Sequence, residues 1–119
     1  MREIFFRGKS RNDGKWYEGD LGTVAHKRFI DDGKNNERVI PETVGQFIGI
    51  CDRNGAKIFE GDIVSYRGEH AVIVYDEETA RFCLSFDTWS TDFDHLYGKD
   101  VEVIGNAYDN PELREGEET

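Results

Sequence analysis

Apolar and polar positions alternate along most of this chain, and the alternation predicts short strands punctuated by turns. Residues 3–9 read as a first strand, with Ile4 and Phe6 on one face and Phe5 and Arg7 on the other. Asn12-Asp13-Gly14-Lys15 follows, and its Asp-Gly pair, tolerant of φ > 0, predicts a tight hairpin into a returning strand at 16–21. Residues 26–30 form a third candidate strand, ended by Asp31-Asp32-Gly33, while the polar stretch 31–38 has no period and reads as turn. From Val44 a period of two resumes, with Val44, Gln46, Ile48 and Ile50 opposite Gly45, Phe47 and Gly49.

The same logic covers the second half. Asn54-Gly55 predicts another hairpin before Ile58-Phe59. A bend at Glu60-Gly61-Asp62 feeds a strand at 63–66, and a Gly68-Glu69 turn leads into 71–75, rich in β-branched residues. Asp76-Glu77-Glu78-Thr79 turns the chain into a strand at 81–86 with Phe82, Leu84 and Phe86 on one face. Residues 91–98 read as one helical turn, with Thr91 as N-cap and Gly98 as stop. A last strand covers 101–107, and Asn110-Pro111 opens a short capped helix.

Strands this short, with turns at this spacing, predict a mainly β fold. The run Gly61-Asp62-Ile63-Val64, a hairpin, then Val103-Ile104-Gly105-Asn106 has the rhythm of a small SH3-like barrel over about residues 44–108, with an N-terminal β-hairpin lobe. The expected organisation is one domain over 1–113, divided into a lobe at 1–40 and a barrel-like lobe at 41–113. Residues 114–119 form an acidic, solvated tail. Composition agrees: 13 Gly against 2 Pro favours turns over helices, and 8 Phe, 5 Tyr and 2 Trp supply a core that disordered chains lack. No apolar run is long enough to span a membrane, and residues 1–7 lack the h-region of a signal peptide.

Charge narrows the partners. The chain carries 15 basic and 25 acidic residues, a net −10, which repels phosphate backbones. Arg2, Arg7, Lys9, Arg11 and Lys15 nevertheless make the first 15 residues +3, against −13 for the remaining 104. These five side chains are the candidates for nucleic-acid contact, the alternative function. Their ordinary reading is a set of charges that blunts an exposed strand edge.

Reactive chemistry has little support in the spacing. Cys51 and Cys83 belong to no C-x-x-C and form no disulfide framework, so both are expected to be buried, reduced thiols in a cytosolic protein. A nucleophilic Cys83 would need His70 or His95 beside it. Asp87, Asp92, Asp94 and His95 could gather round a cation, which would be the basis of a small metal-dependent enzyme. Their spacing fails the calcium-loop template, and His26, His70 and His95 are too scattered for zinc. With no G-x-S-x-G, P-loop or dinucleotide fingerprint, no catalytic residue, metal or cofactor is expected. The surplus aromatics Trp16, Tyr17, Tyr66 and Trp89 are the candidates for binding another protein. Trp89, set among Asp87, Thr88, Ser90 and Thr91, is either a plug over the core or an exposed anchor.

Four blocks resemble the YopX family of bacteriophage and prophage proteins from Gram-positive bacteria. They are Arg2-Glu3-Ile4-Phe5-Phe6-Arg7-Gly8-Lys9, Trp16-Tyr17-Glu18-Gly19-Asp20-Leu21, a long run over 41–64 containing Gly45-Gln46-Phe47-Ile48-Gly49-Ile50 and Asp52-Arg53-Asn54-Gly55, and Val103-Ile104-Gly105-Asn106 continuing through Leu113. Cys51 stands where the family pattern has Lys, which gives this thiol no family-wide role. The resemblance implies a mainly β accessory protein of phage or prophage origin, made in the cytoplasm of the host bacterium. It brings no reaction, ligand or catalytic residue with it. The resulting expectation is a non-catalytic module that binds a host or phage protein and forms a homo-oligomer, without membrane contact.

Overall fold

The structure, a computed structural model, describes residues 3–94 and 98–115, of which 114 and 115 by backbone alone. It is mainly β: β1 Phe6–Lys9, β2 Trp16–Val24, β3 Lys27–Asp31, β4 Asn36–Val39, β5 Gly45–Cys51, β6 Lys57–Phe59, β7 Asp62–Tyr66, β8 Glu69–Asp76, β9 Arg81–Ser85, β10 Ser90–Asp92 and β11 Val101–Asn106. Two 3-10 turns, Pro41–Thr43 and Pro111–Glu115, follow β4 and β11. The chain divides into two compact units, residues 1–47 and 48–119, and β5 straddles the boundary.

In the first unit the strands lie in the order β4-β3-β2-β1, followed by the beginning of β5. Registers such as Gly8↔Tyr17 and Leu21↔Ile30 place Ile30 and Val39, both fully buried, on the inner face. The sheet curls until Ser10 forms a bridge with Val39. Arg11 N–H donates to the Arg38 carbonyl at 3.0 Å and Ile40 N–H to the Lys9 carbonyl at 2.9 Å. Two glycines make the curl feasible. A Cβ at Gly8 would sit 2.9 Å from Val39 Cβ, and one at Gly19 only 2.7 Å from the carbonyl carbon of Asp31. Thr43, buried in the 3-10 turn, accepts from Lys9 N–H at 2.9 Å and donates to the Ile40 carbonyl at 2.6 Å.

The second unit holds an open sheet in the order β10-β9-β8-β7-β11, together with the rest of β5 and its partner β6. One face carries the core: Ile58, Val64, Ala71, Ile73, Leu84, Phe86 and Val101 are buried together, with Ile48, Ile50, Tyr66, Phe82, Phe93 and Val103 packed around them. Burying each of the larger aliphatic side chains contributes roughly 1.5–3 kcal/mol. Gly49, at φ +89° inside β5, takes a backbone conformation that glycine adopts without steric cost. Against the other face, His70 Nδ1 lies 2.8 Å from the Leu113 carbonyl oxygen, an obligate acceptor, so this nitrogen carries the proton and ties β8 to the last 3-10 turn.

Several expectations change. The second unit's strands form an open sheet in place of the closed SH3-like barrel expected over about residues 44–108, because β10 and β11 end that sheet without pairing. Residues 36–38, part of the stretch read as turn, lie in β4, whose Glu37 and Arg38 hide the alternation that Val39 alone retains. The Asp13-Gly14 hairpin is a four-residue loop closed by Ser10 N–H to the Lys15 carbonyl, with only Gly14 at positive φ. The turn after β7 is Arg67-Gly68, and the one after β2 is Ala25-His26, with all four residues at positive φ. Thr91 is no helix cap: it lies in β10, opposite Leu84. Of the rest of that expected helical turn, Phe93 and Asp94 are not helical, Gly98 is, and His95, Leu96 and Tyr97 lie outside the described residues, as does the expected acidic tail beyond Glu115.

Candidate functional site

Most of the polar groups that could do chemistry are committed to backbone. Ser10, buried in the β1–β2 hairpin, donates its hydroxyl to Glu37 Oε2 at 2.6 Å, which has the look of an activated nucleophile. Its oxygen also accepts N–H bonds from Asn12 at 2.9 Å and Asp13 at 3.2 Å, so its lone pairs are occupied by turn closure. Asp52 behaves alike. Burial alone would raise its carboxyl, but the N–H groups of Val103, Ala56 and Asn54, all at 2.8–2.9 Å, outweigh it and hold the group below the ordinary carboxylate value. Tyr17 donates its phenol to Asp13 Oδ2 at 2.6 Å, and this bond pushes the phenol up to about 12 and Asp13 down.

The thiols differ from expectation. Cys83 is buried, and burial together with the carboxylates of Asp92 and Asp76 pushes its pKa up, which keeps the sulfur protonated and a poor nucleophile. Cys51, expected to be buried, is exposed at the end of β5, where the alternation turns it to the outer side. Asp92 is engaged by an ion pair with Arg81 and lies 3.8 Å from Cys83 Sγ. Among the described residues, no three His, Cys, Asp or Glu side chains are gathered to hold a metal ion.

The basic candidates are dispersed. Arg7 and Lys9 share one face of β1, and the Arg7 guanidinium stacks 4.8 Å from the Trp16 ring centroid. Arg11 and Lys15 are exposed in the hairpin loop, and Arg2 lies outside the described residues.

The four aromatic candidates separate into two pairs. Trp16 and Tyr17 are adjacent on β2 and therefore point to opposite faces. Tyr66 and Trp89 converge on one residue, Phe86. Tyr66 tilts against it at 6.2 Å between ring centroids, and Trp89 stacks on it at 4.3 Å with the planes 8° apart. Beyond Tyr66 the row continues to Arg67, 5.2 Å from its ring. Phe86 is buried while Trp89 remains 45% exposed, so one face of the indole rests on the core and the other looks outward. The resulting platform is aromatic and lies at the tip of the β9–β10 hairpin, closed by Phe86 N–H to the Trp89 carbonyl at 2.8 Å. Phe86, read from sequence only as core, is what orients the Trp. The alternation of Phe82, Leu84 and Phe86 signalled its burial, but nothing in the sequence signalled the stacking partner.

The unit that carries this platform is acidic. Residues 48–119 hold 17 acidic and 6 basic side chains, a net −11, whereas residues 1–47 are close to neutral at +1. No helix among the described residues is long and apolar enough to cross a membrane.

Among known proteins, no curated protein matches the chain. Among solved structures it is similar to the crystal structure of protein EF1440 from Enterococcus faecalis, at 23% identity and a TM-score of 0.62, over 97% of this chain and 100% of that one. That likeness supports the fold alone. The profile of the family described as YopX protein matches residues 5–115, nearly the whole length, and the chain belongs to the YopX family.

Proposed function

We propose that this YopX-family chain is a non-catalytic accessory protein, of phage or prophage origin and working in the host cytoplasm, that binds another protein through the acidic second unit. The observation that carries the reading is Trp89, held flat on Phe86 with an open face in a unit of net charge −11. A half-exposed Trp on an aromatic support is the residue type that dominates protein interfaces, because it buries much area with little loss of side-chain freedom. The unit's negative charge steers the choice toward a partner with a basic surface. The commitment of Ser10 and Asp52 to backbone, and the protonated Cys83, support a working surface over a reactive centre.

The test is affinity capture from bacterial host lysate with the native chain and with Trp89→Ala. A partner recovered at low salt by the native chain and lost with Trp89→Ala is the expected result. Identical captured sets for the two chains would refute the assignment of Trp89, and a substrate turned over by the purified chain would refute the non-catalytic reading.

A further inference from the structure

An exposed sheet edge is an invitation to a further strand, and proteins usually cover it. Both ends of the second unit's sheet can be inspected for such cover. At β11 the edge is closed: Arg53 N–H donates to the Val101 carbonyl at 3.1 Å, Val103 N–H to Asp52 Oδ2 at 2.9 Å, and the Arg53 guanidinium pairs with Glu102 at 2.6 Å. In the first unit, the edge of β4 is likewise taken up by the bridge to Ser10.

At β10 no comparable cover exists among the described residues. Phe86 N–H donates to the Trp89 carbonyl and Phe93 N–H to the Phe82 carbonyl, so residues 89, 91 and 93 face β9 with their main-chain groups. The alternate residues Ser90 and Asp92 therefore direct their N–H and C=O groups away from β9, along the open edge. Trp89 stands at one end of this edge and Asp87 beside it, with Asp92 and Asp94 further along.

We infer that the outer edge of β10 is a docking slot for an extended, basic segment of a partner protein, added as a sixth strand with Trp89 as its side-chain anchor. The inference rests on the protein-binding reading above and gives that reading its chemistry. Main-chain bonds to Ser90 and Asp92 supply the pairing, as in other strand additions. Alternate side chains of the incoming strand would fall beside Trp89 and Thr91 on one face and beside Ser90 and Asp92 on the other. An Arg or Lys over the open indole face gains a cation–π contact, and a second one meets the aspartates. Charge also decides against a second copy of this chain as occupant, because pairing β10 with itself would bring two sets of Asp87 and Asp92 and two units of −11 together.

The experiment uses the full chain with Trp16→Phe, so that emission reports Trp89. The probes are a capped peptide alternating Arg and Val, the same peptide with Glu for Arg, and the Arg peptide with alternate amides N-methylated. The expected result is that the Arg peptide alone shifts Trp89 emission and slows hydrogen exchange at Ser90 and Asp92. Trp89→Ala, or N-methylation of the pairing edge, should weaken its binding by about tenfold or more, as loss of an interface anchor does. Ser90 and Asp92 amides already protected in the free chain would overturn the slot, as would protection that rises with protein concentration alone. Equal binding of the N-methylated peptide would also overturn it while leaving the protein-binding reading intact, since that reading is judged by the lysate capture.

Discussion

The curl of the first unit needs a close backbone approach at Gly19, and replacing Gly19 by Ala tests it. Gly19 sits mid-β2, opposite Phe6 on one side, and a Cβ there would meet the end of β3 on the other: 2.7 Å from the carbonyl carbon of Asp31 and 3.0 Å from Asp32 Cα. Ordinary carbon–carbon contacts lie at about 3.5–4.0 Å, so the end of β3 would have to withdraw by close to an ångström. The obstacle is backbone and cannot swing aside. Withdrawal would strain the Asp20↔Asp31 pairing and the turn held by Asp32 N–H to the Asn35 carbonyl and by Gly33 N–H to Asp31 Oδ1. Two or three hydrogen bonds at about 1 kcal/mol each set the loss at roughly 2–3 kcal/mol. Gly22 is the control, in the same strand and with nothing within 4 Å of its Cβ position. Both substitutions restrict the unfolded chain equally, so Gly22→Ala should be neutral or gain about 0.5 kcal/mol. Urea denaturation followed by Trp16 emission, in a Trp89→Phe background, measures both. Unfolding free energies for Gly19→Ala and Gly22→Ala that agree within about 0.5 kcal/mol would refute the close-approach argument.

Three further outcomes follow from the geometry. Ala25 and His26 hold positive φ in the two-residue β2–β3 turn, so Ala25→Asn with His26→Gly should raise stability by about 1 kcal/mol in thermal melts; a fall would show that the turn is held by more than its own backbone. Asp52 has a folded pKa below its ordinary 3.8, so its contribution is present above that value and lost as pH falls through the folded one. Asp52→Asn should cost about 1.5–3 kcal/mol near neutrality and flatten the loss of stability below about pH 4, as read by denaturation at a series of pH values. With a thiol reagent, Cys51 should react in the native chain and Cys83 only after unfolding; fast native labelling of Cys83 would contradict its burial.

Where alternation is strict the sequence is readable, as in Phe82 and Leu84 of β9 with Phe86 just beyond its end, or Ala71 and Ile73 of β8, because a sheet covered on that face repeats at every second residue. It fails at β4 and β10 for a shared reason. Both are short strands made mostly of charged or hydroxyl side chains, the half-buried Glu37 and Arg38 in one case and the exposed Ser90 and Asp92 in the other, so their pairing leaves no apolar period. Turn chemistry fails at Ala25-His26, where the long β2–β3 pairing on either side imposes a positive φ that neither residue favours. For the candidate site, Trp89 was legible as an isolated aromatic in polar surroundings. Its stacking on Phe86 was not, because it depends on a hairpin the sequence disguises as a helical turn.

The blocks that resemble the family and the platform proposed to bind a partner occupy different parts of the chain, and the physical roles explain the separation. Asp52 binds three backbone N–H groups, Asp62 caps Phe59 N–H at 2.8 Å, and Asn106 and Asn110 close the turn after β11 with side-chain bonds to backbone. Each would break a turn if exchanged for an apolar residue, so these blocks specify the fold. Trp89 and β10 lie outside all four blocks, at a hairpin tip that no buried carboxylate or close glycine contact constrains. A fold held by its turns leaves such a tip free to vary without loss of stability. On this argument, exchanging residues 87–92 for those of another YopX-family protein should transfer partner choice while leaving the unfolding free energy within about 0.5 kcal/mol of the parent, the usual range for surface changes. A collapse in stability would show instead that the tip belongs to the scaffold.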